Sequence, residues 1–243
     1  MAHFTATFDA NGGTLSGDGT KTVTSTKKYG TLPTATRVGY IFGGWYDAKT
    51  NGNKITSTAS VDIAADTTFY AHWTPVESTV NFDANGGTVT TTSKKVYYEQ
   101  TIGDMPTPKR EGYTFNGWCT AKNGAGGYIT SDYEIPWSTS TTSTLYAQWT
   151  INKYSIITSC KGLGVISNDS KVTYKENASI FINPANGFEL TELKIGGVSV
   201  TPVTKYNFLN VEKDHTVEAT FSITQNKKME LIQKGYSWID LKL

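Results

Sequence analysis

The chain repeats itself, and that constrains its fold more than any other feature. Phe8-Asp9-Ala10-Asn11-Gly12-Gly13-Thr14 returns as Phe82-Asp83-Ala84-Asn85-Gly86-Gly87-Thr88, 74 residues on. Arg37, Gly39-Tyr40, Phe42 and Gly44-Trp45 return as Arg110, Gly112-Tyr113, Phe115 and Gly117-Trp118, 73 residues on. Tyr70-Ala71-His72-Trp73-Thr74 returns as Tyr146-Ala147-Gln148-Trp149-Thr150, 76 residues on. The offset slips between these blocks, where loops of different length are tolerated. A third copy keeps apolar character but not identity. An offset of 148 carries Phe8 to Ile156, Gly39 to Gly187, Tyr40 to Phe188, Trp45 to Leu193 and Trp73 to Phe221. A fixed period of this length means tandem modules, each with its own apolar faces. The boundaries predicted are 1–75, 76–150 and 151–223, followed by a tail of unknown role, 224–243.

Composition points to β-structure. There are 39 Thr and 14 Tyr against 10 Leu and 3 Met, and β-branched and aromatic side chains suit a pleated surface. A formal net charge of +1 supplies no field to hold nucleic acid or an anionic membrane. No apolar run reaches the roughly 18 residues of a spanning helix. The opening Met-Ala-His-Phe lacks the charged and apolar regions of a secretory signal. A monomer is expected.

Within each module, Phe4-Thr5-Ala6-Thr7-Phe8 and Thr79-Val80-Asn81-Phe82 alternate as half-buried strands do. Asp-Ala-Asn-Gly-Gly then reads as a turn, because Asn-Gly tolerates positive φ and the Asp can accept from the backbone ahead of it. A calcium loop is the alternative, and it lacks the later bidentate Glu. Ser60 to Ala65 could form one short helical turn. The closing strands place Trp73 with Phe69 and Ala71, and Trp149 with Leu145 and Ala147, on one face. The core set is therefore Phe8, Trp73, Phe82, Trp149, Phe188 and Phe221. In the tail, Met229-Glu-Leu-Ile and Trp238-Ile-Asp-Leu leave open whether a further element begins.

These motifs, with the Pro106-Thr107-Pro108 that precedes Arg110, resemble the internalin B-type repeat, also called the Listeria–Bacteroides repeat. Modules one and two match nearly throughout. Module three, with Gly187-Phe188, Gly196-Gly197 and Asp214-His215-Thr216-Val217, resembles the divergent form. Ala35 replaces the second proline in module one, and module three has lost both tryptophans. The resemblance implies small β-grasp-like modules in tandem, part of a surface-exposed or secreted bacterial protein. The strand patterns make the chain mostly β, and because each module repeats its own complete set of apolar faces, an elongated array is expected.

Catalysis would need convergent groups, and few are offered. His72 alternates with Ala71 and Trp73 and should face solvent. Asp214-His215 has no serine in a strained elbow to serve. Gly162-Leu163-Gly164 lacks the third glycine and following helix of a phosphate loop. Neither a catalytic, a cofactor-binding nor a metal site is expected. Cys119 and Cys160 are expected as free thiols, a disulfide across the second joint being the alternative. Aromatics are the remaining lead. On an unbroken strand Trp45 faces away from Tyr40 and Phe42, so Trp45 with Tyr70, and Trp118 with Tyr146, could form platforms for a sugar ring. The opposing reading makes Gly43-Gly44 a bulge that turns Trp45 inward. Leu193 at the third equivalent position favours the core. The function expected is a non-catalytic stalk or spacer of a bacterial cell-surface protein, with adhesion to a host or cell-wall glycan or a protein receptor as an added role. The alternatives are a glycan-binding module and an accessory region of a secreted hydrolase.

Overall fold

A computed structural model describes residues 1–136, 138 and 140–237; Trp238-Ile-Asp-Leu lies outside them. The chain is mostly β. The first repeat contributes β1 (His3–Asp9), β2 (Thr14–Ser16), β3 (Thr20–Thr24), β4 (Thr34–Thr36), β5 (Tyr40–Tyr46), β6 (Lys54–Ile55) and β7 (Thr67–Pro75). The second contributes β8 (Glu77–Asp83), β9 (Ser93–Tyr97), β10 (Tyr113–Cys119), β11 (Tyr128–Ile129) and β12 (Thr142–Ile151). The third contributes β13 (Lys153–Lys161), β14 (Gly164–Ile166), β15 (Ser170–Thr173), β16 (Ala178–Pro184), β17 (Phe188–Ile195), β18 (Val198–Val200), β19 (Lys205–Phe208) and β20 (His215–Ile223). The tail adds α1 (Gln225–Gln233).

Each repeat builds a five-stranded sheet of one topology: β3-β1-β7-β5-β6, β9-β8-β12-β10-β11 and β15-β13-β20-β17-β18. The first and last long strands of a repeat lie side by side and parallel, β1 with β7, β8 with β12 and β13 with β20. Their outer neighbours run antiparallel, as β3 does to β1 and β5 to β7. A repeat thus closes on itself, its start bonded to its end. Chain packing separates two compact units, residues 1–109 with 117–148 and residues 110–116 with 149–243.

The first core gathers Phe8, Val23, Tyr29, Trp45, Phe69 and Ala71, with Phe42 and Trp73 packed against it. Its rings meet at angles: Phe8 and Trp45 have centroids 4.9 Å apart and Phe42 and Trp73 5.4 Å, pairs worth about 0.5–1.5 kcal/mol each beyond burial. The third core gathers Ile156, Ile180, Ile182, Leu193, Val217 and Phe221. Leu193 stands where the first repeat has Trp45, and Phe221 where it has Trp73.

Two expectations need correction. Residues 60–65 form no helical turn: Ser60 bridges Lys28, the Val61 N–H donates to Lys27 O at 2.7 Å, and Val61 enters the core. The constant offset of 148 also fails in the first strand. Ala6 lies opposite Thr67 and Phe8 opposite Phe69, whereas Ile156 lies opposite His215 and Thr158 opposite Val217. Ile156 therefore takes the place of Ala6, not Phe8. A slip of two residues keeps the same strand face inward, which is why sequence pattern alone could not expose it.

Candidate functional site

Tryptophan placement follows from one extra residue. In β5, Phe42 pairs with Trp73 and Gly44 with His72, leaving Gly43 unpaired. That bulge turns Trp45 inward, where it is 1% exposed and its Nε1 donates to Pro33 O at 2.8 Å. Trp118 is 2% exposed and donates to Pro106 O at 2.9 Å. The third repeat bulges between Leu190 and Glu192 and buries Leu193. An exposed platform at Trp45 or Trp118 is thus corrected. Tyr46 takes the outer face, opposite Tyr70 and stacked on His72 with centroids 3.8 Å apart. Tyr70 and Tyr146 are half-buried, and Lys49 Nζ lies 5.5 Å from the Tyr70 ring. Burial leaves neither Trp45 nor Trp118 an exposed face on which a ring could stack.

The remaining named residues divide between core and rim. Phe8, Phe82 and Phe221 are buried, while Trp73, Trp149 and Phe188 are half-buried. Trp73 Nε1 donates to Ala10 O at 3.0 Å. The Asp-Ala-Asn-Gly-Gly turn is what receives it. Asp9 Oδ1 accepts the Asn11 N–H and Asp83 Oδ1 the Asn85 N–H, both at 2.8 Å. Asn11 Nδ2 donates to Ala71 O and Asn85 Nδ2 to Ala147 O, both at 3.0 Å. Each aspartate thereby orders its own turn, and each asparagine ties that turn to the closing strand.

The histidines are tied up locally. His72 points away from the core, half-buried against Tyr46, with Nε2 2.9 Å from Ala48 O. His3 Nδ1 lies 3.2 Å from Thr24 Oγ1. His215 packs on Phe208 with centroids 4.6 Å apart, and desolvation, with Lys213 nearby, lowers its pKa. Asp214 Oδ1 accepts the Ser155 N–H at 2.7 Å, as Asp66 Oδ1 accepts that of Thr5. Both cysteines are free, Cys119 buried and Cys160 exposed.

What the sequence reading missed is the joint. The Val76 N–H donates to Gly39 O at 2.8 Å, and the Tyr98 N–H donates to Val76 O at 3.1 Å. The Tyr98 ring then lies directly on Gly39, whose φ is +77°. Within the other compact unit the pattern recurs. The Asn152 N–H donates to Gly112 O and the Tyr174 N–H to Asn152 O, both at 2.9 Å, and the Tyr174 ring lies on Gly112, φ +73°. Arg37 stacks on Tyr40 at 3.8 Å and Arg110 on Tyr113 at 3.7 Å. At the first joint Glu99 accepts from the Tyr40 hydroxyl and lies 3.7 Å from Arg37. That hydrogen bond raises the Tyr40 pKa, and desolvation raises those of Tyr98 and Tyr174. The available signal was that Tyr98 and Tyr174 stand 76 apart, while the first repeat has Ser25 there.

Among the described residues no helix is long and apolar enough to cross a membrane. The model of the Listeria–Bacteroides repeat domain matches residues 4–72 and 79–148, together more than half of the chain. Internalin H of Listeria monocytogenes serovar 1/2a is 40% identical over 121 residues, covering 49% of this chain and 21% of that protein. A protein of Evansella cellulosilytica named "Putative Gly-rich membrane protein" is 35% identical over 130 residues, covering 49% of this chain and 15% of its own. The chain thus spans about a fifth or less of the length of these two relatives. With its first two repeats matched nearly end to end, the chain belongs to the Listeria–Bacteroides repeat domain family.

Proposed function

We propose that the chain is a non-catalytic spacer segment of a bacterial cell-surface protein, made of β-grasp-like modules at 1–75, 76–150 and 151–223 with a tail at 224–243. One observation carries the reading. The same joint recurs, with a tyrosine ring on a left-handed glycine and two backbone hydrogen bonds through the single linking residue, Val76 or Asn152. A joint fastened by ring contact and backbone pairing resists bending, which a spacer requires and a flexible tether does not supply. Relatives named Internalin H and "Putative Gly-rich membrane protein" support a surface setting. Burial of Trp45 and Trp118 speaks against a glycan-stacking role for either. The test is ¹⁵N relaxation on the whole chain. A spacer tumbles with one correlation time across the three repeats, and separate, module-sized correlation times would sink the reading.

A further inference from the structure

Three glycines hold equivalent positions before β5, β10 and β17: Gly39, Gly112 and Gly187, with φ of +77°, +73° and +83°. Each offers its carbonyl to the residue that leaves the last strand of its repeat. Val76 and Asn152 do so at the first two, and the Thr224 N–H reaches Gly187 O at 2.9 Å at the third. The offset of 148 that relates Gly39 to Gly187 also relates Val76 to Thr224. The third repeat therefore carries the same socket. At the first two sockets a tyrosine of the next repeat lies on the glycine. At the third, α1 follows, and the stem of Lys227 lies there instead: a β-carbon on Gly187 would stand 2.7 Å from Lys227 Cγ and 2.9 Å from Cδ.

We infer that α1 is a cap on this third socket, and that the partner the Gly187 face fits is the tyrosine-bearing edge of a further β repeat. Thr224 couples helix to socket. Its Oγ1 donates to Gly187 O at 3.1 Å and accepts the Lys227 N–H at 3.3 Å, so one side chain both closes the joint and caps the helix. Glu230 holds the lysine in place, 2.9 Å from Lys227 Nζ. α1 buries none of its own residues, so hydrophobic burial offers it little reason to dock elsewhere. Charge is consistent too. The position of Arg37 is taken by Ala185 in the third repeat, which removes the cation that would repel a lysine laid over the glycine. A second copy of this chain is not the partner, because the first repeat presents Ser25 where Tyr98 and Tyr174 stand. The Ser25 hydroxyl instead accepts the Ala2 N–H at 3.1 Å. The inference concerns the joint and does not depend on the spacer role.

Amide hydrogen exchange on the whole chain tests it. Lys227→Ala removes the stem from Gly187; Lys234→Ala removes another partner of the same Glu230 without touching the socket. The Thr224 amide should exchange about tenfold faster in Lys227→Ala and stay within about twofold of the parent in Lys234→Ala, as expected of a local opening. Equal effects in the two variants would overturn the cap. A second chain, with residues 225–243 exchanged for a copy of residues 77–150, tests the socket. Its Thr224 amide should keep its protection and lose it when the copied Tyr98 is changed to alanine; an unprotected Thr224 in that chain would overturn the assignment of Gly187 as a joint.

Discussion

Tyr98 packs against Gly39 so closely that no β-carbon fits between them. The glycine also sits at φ +77°, so two independent costs attach to any side chain there: left-handed strain and collision with the Tyr98 ring. Gly-Tyr in the repeat motif is therefore a joint element as well as the start of a strand.

Gly39→Ala should destabilise the chain by about 2–4 kcal/mol, about 1–2 from the left-handed backbone and the rest from displacing the ring. Gly196 is the control. It has φ +59° with nothing within 4 Å of a built β-carbon, so Gly196→Ala should show the backbone cost alone, about 1–2 kcal/mol. Urea unfolding of both variants measures the difference. Equal midpoints would mean that the Tyr98 contact contributes nothing.

Trp45→Ala should cost about 3–5 kcal/mol through cavity formation. Trp45→Phe should cost less but still lose the bond to Pro33 O, about 1 kcal/mol. The fluorescence of Trp45 and Trp118, in variants that keep only one of them, should resist iodide quenching. Free access of iodide combined with unchanged stability of Trp45→Phe would place the ring outside the core.

Much of the fold was legible because the repeat exposes its own strand faces. Phe69-x-Ala71-x-Trp73 shows a period of two, and Asn11-Gly12 shows a turn. The Gly43 bulge was legible only through comparison, since Leu193 in place of Trp45 favours a buried position. Two things were hidden. A slip of two residues in β13 leaves every apolar residue on the correct face, so Ile156 could pass for the counterpart of Phe8. The joint was hidden because Tyr98 contacts Gly39, in a different repeat, and periodicity within one repeat carries no information about its neighbour.

Asp66 and Asp214 accept the backbone N–H groups of Thr5 and Ser155, both at 2.7 Å. The second repeat does the same with a backbone group, the Thr79 N–H donating to Thr141 O at 2.8 Å. The requirement is thus for an acceptor, not for a charge. Asp66→Asn should change stability by less than about 0.5 kcal/mol, whereas Asp66→Ala should cost about 1 kcal/mol, the usual net value of such a bond. Thermal unfolding distinguishes them. A large loss in Asp66→Asn would show that the negative charge itself matters.

Glu230 gives the tail a pH dependence whose direction can be stated in advance. Its carboxylate accepts from Lys234 Nζ at 2.6 Å and from Lys227 Nζ at 2.9 Å, and these two hydrogen bonds, Lys234 first, lower its pKa from 4.5 to about 2. A carboxylate whose folded pKa is depressed stabilises the fold above its unfolded value and ceases to do so as pH falls through the folded one. The contribution to α1 should therefore be complete above pH 4.5 and vanish progressively down to about pH 2. Lys234 runs the other way. Its pKa is raised by the same bond, so its share is full at neutral pH and is lost only at alkaline pH. A ¹³C-detected titration should place the Glu230 carboxyl midpoint near pH 2, with the Cα shifts of residues 225–233 moving toward coil values over the same interval. Lys234→Ala should move that midpoint upward. A Glu230 midpoint near 4.5 in the parent chain would show that the paired lysines do not hold it, and would remove the ion pair that keeps Lys227 over Gly187.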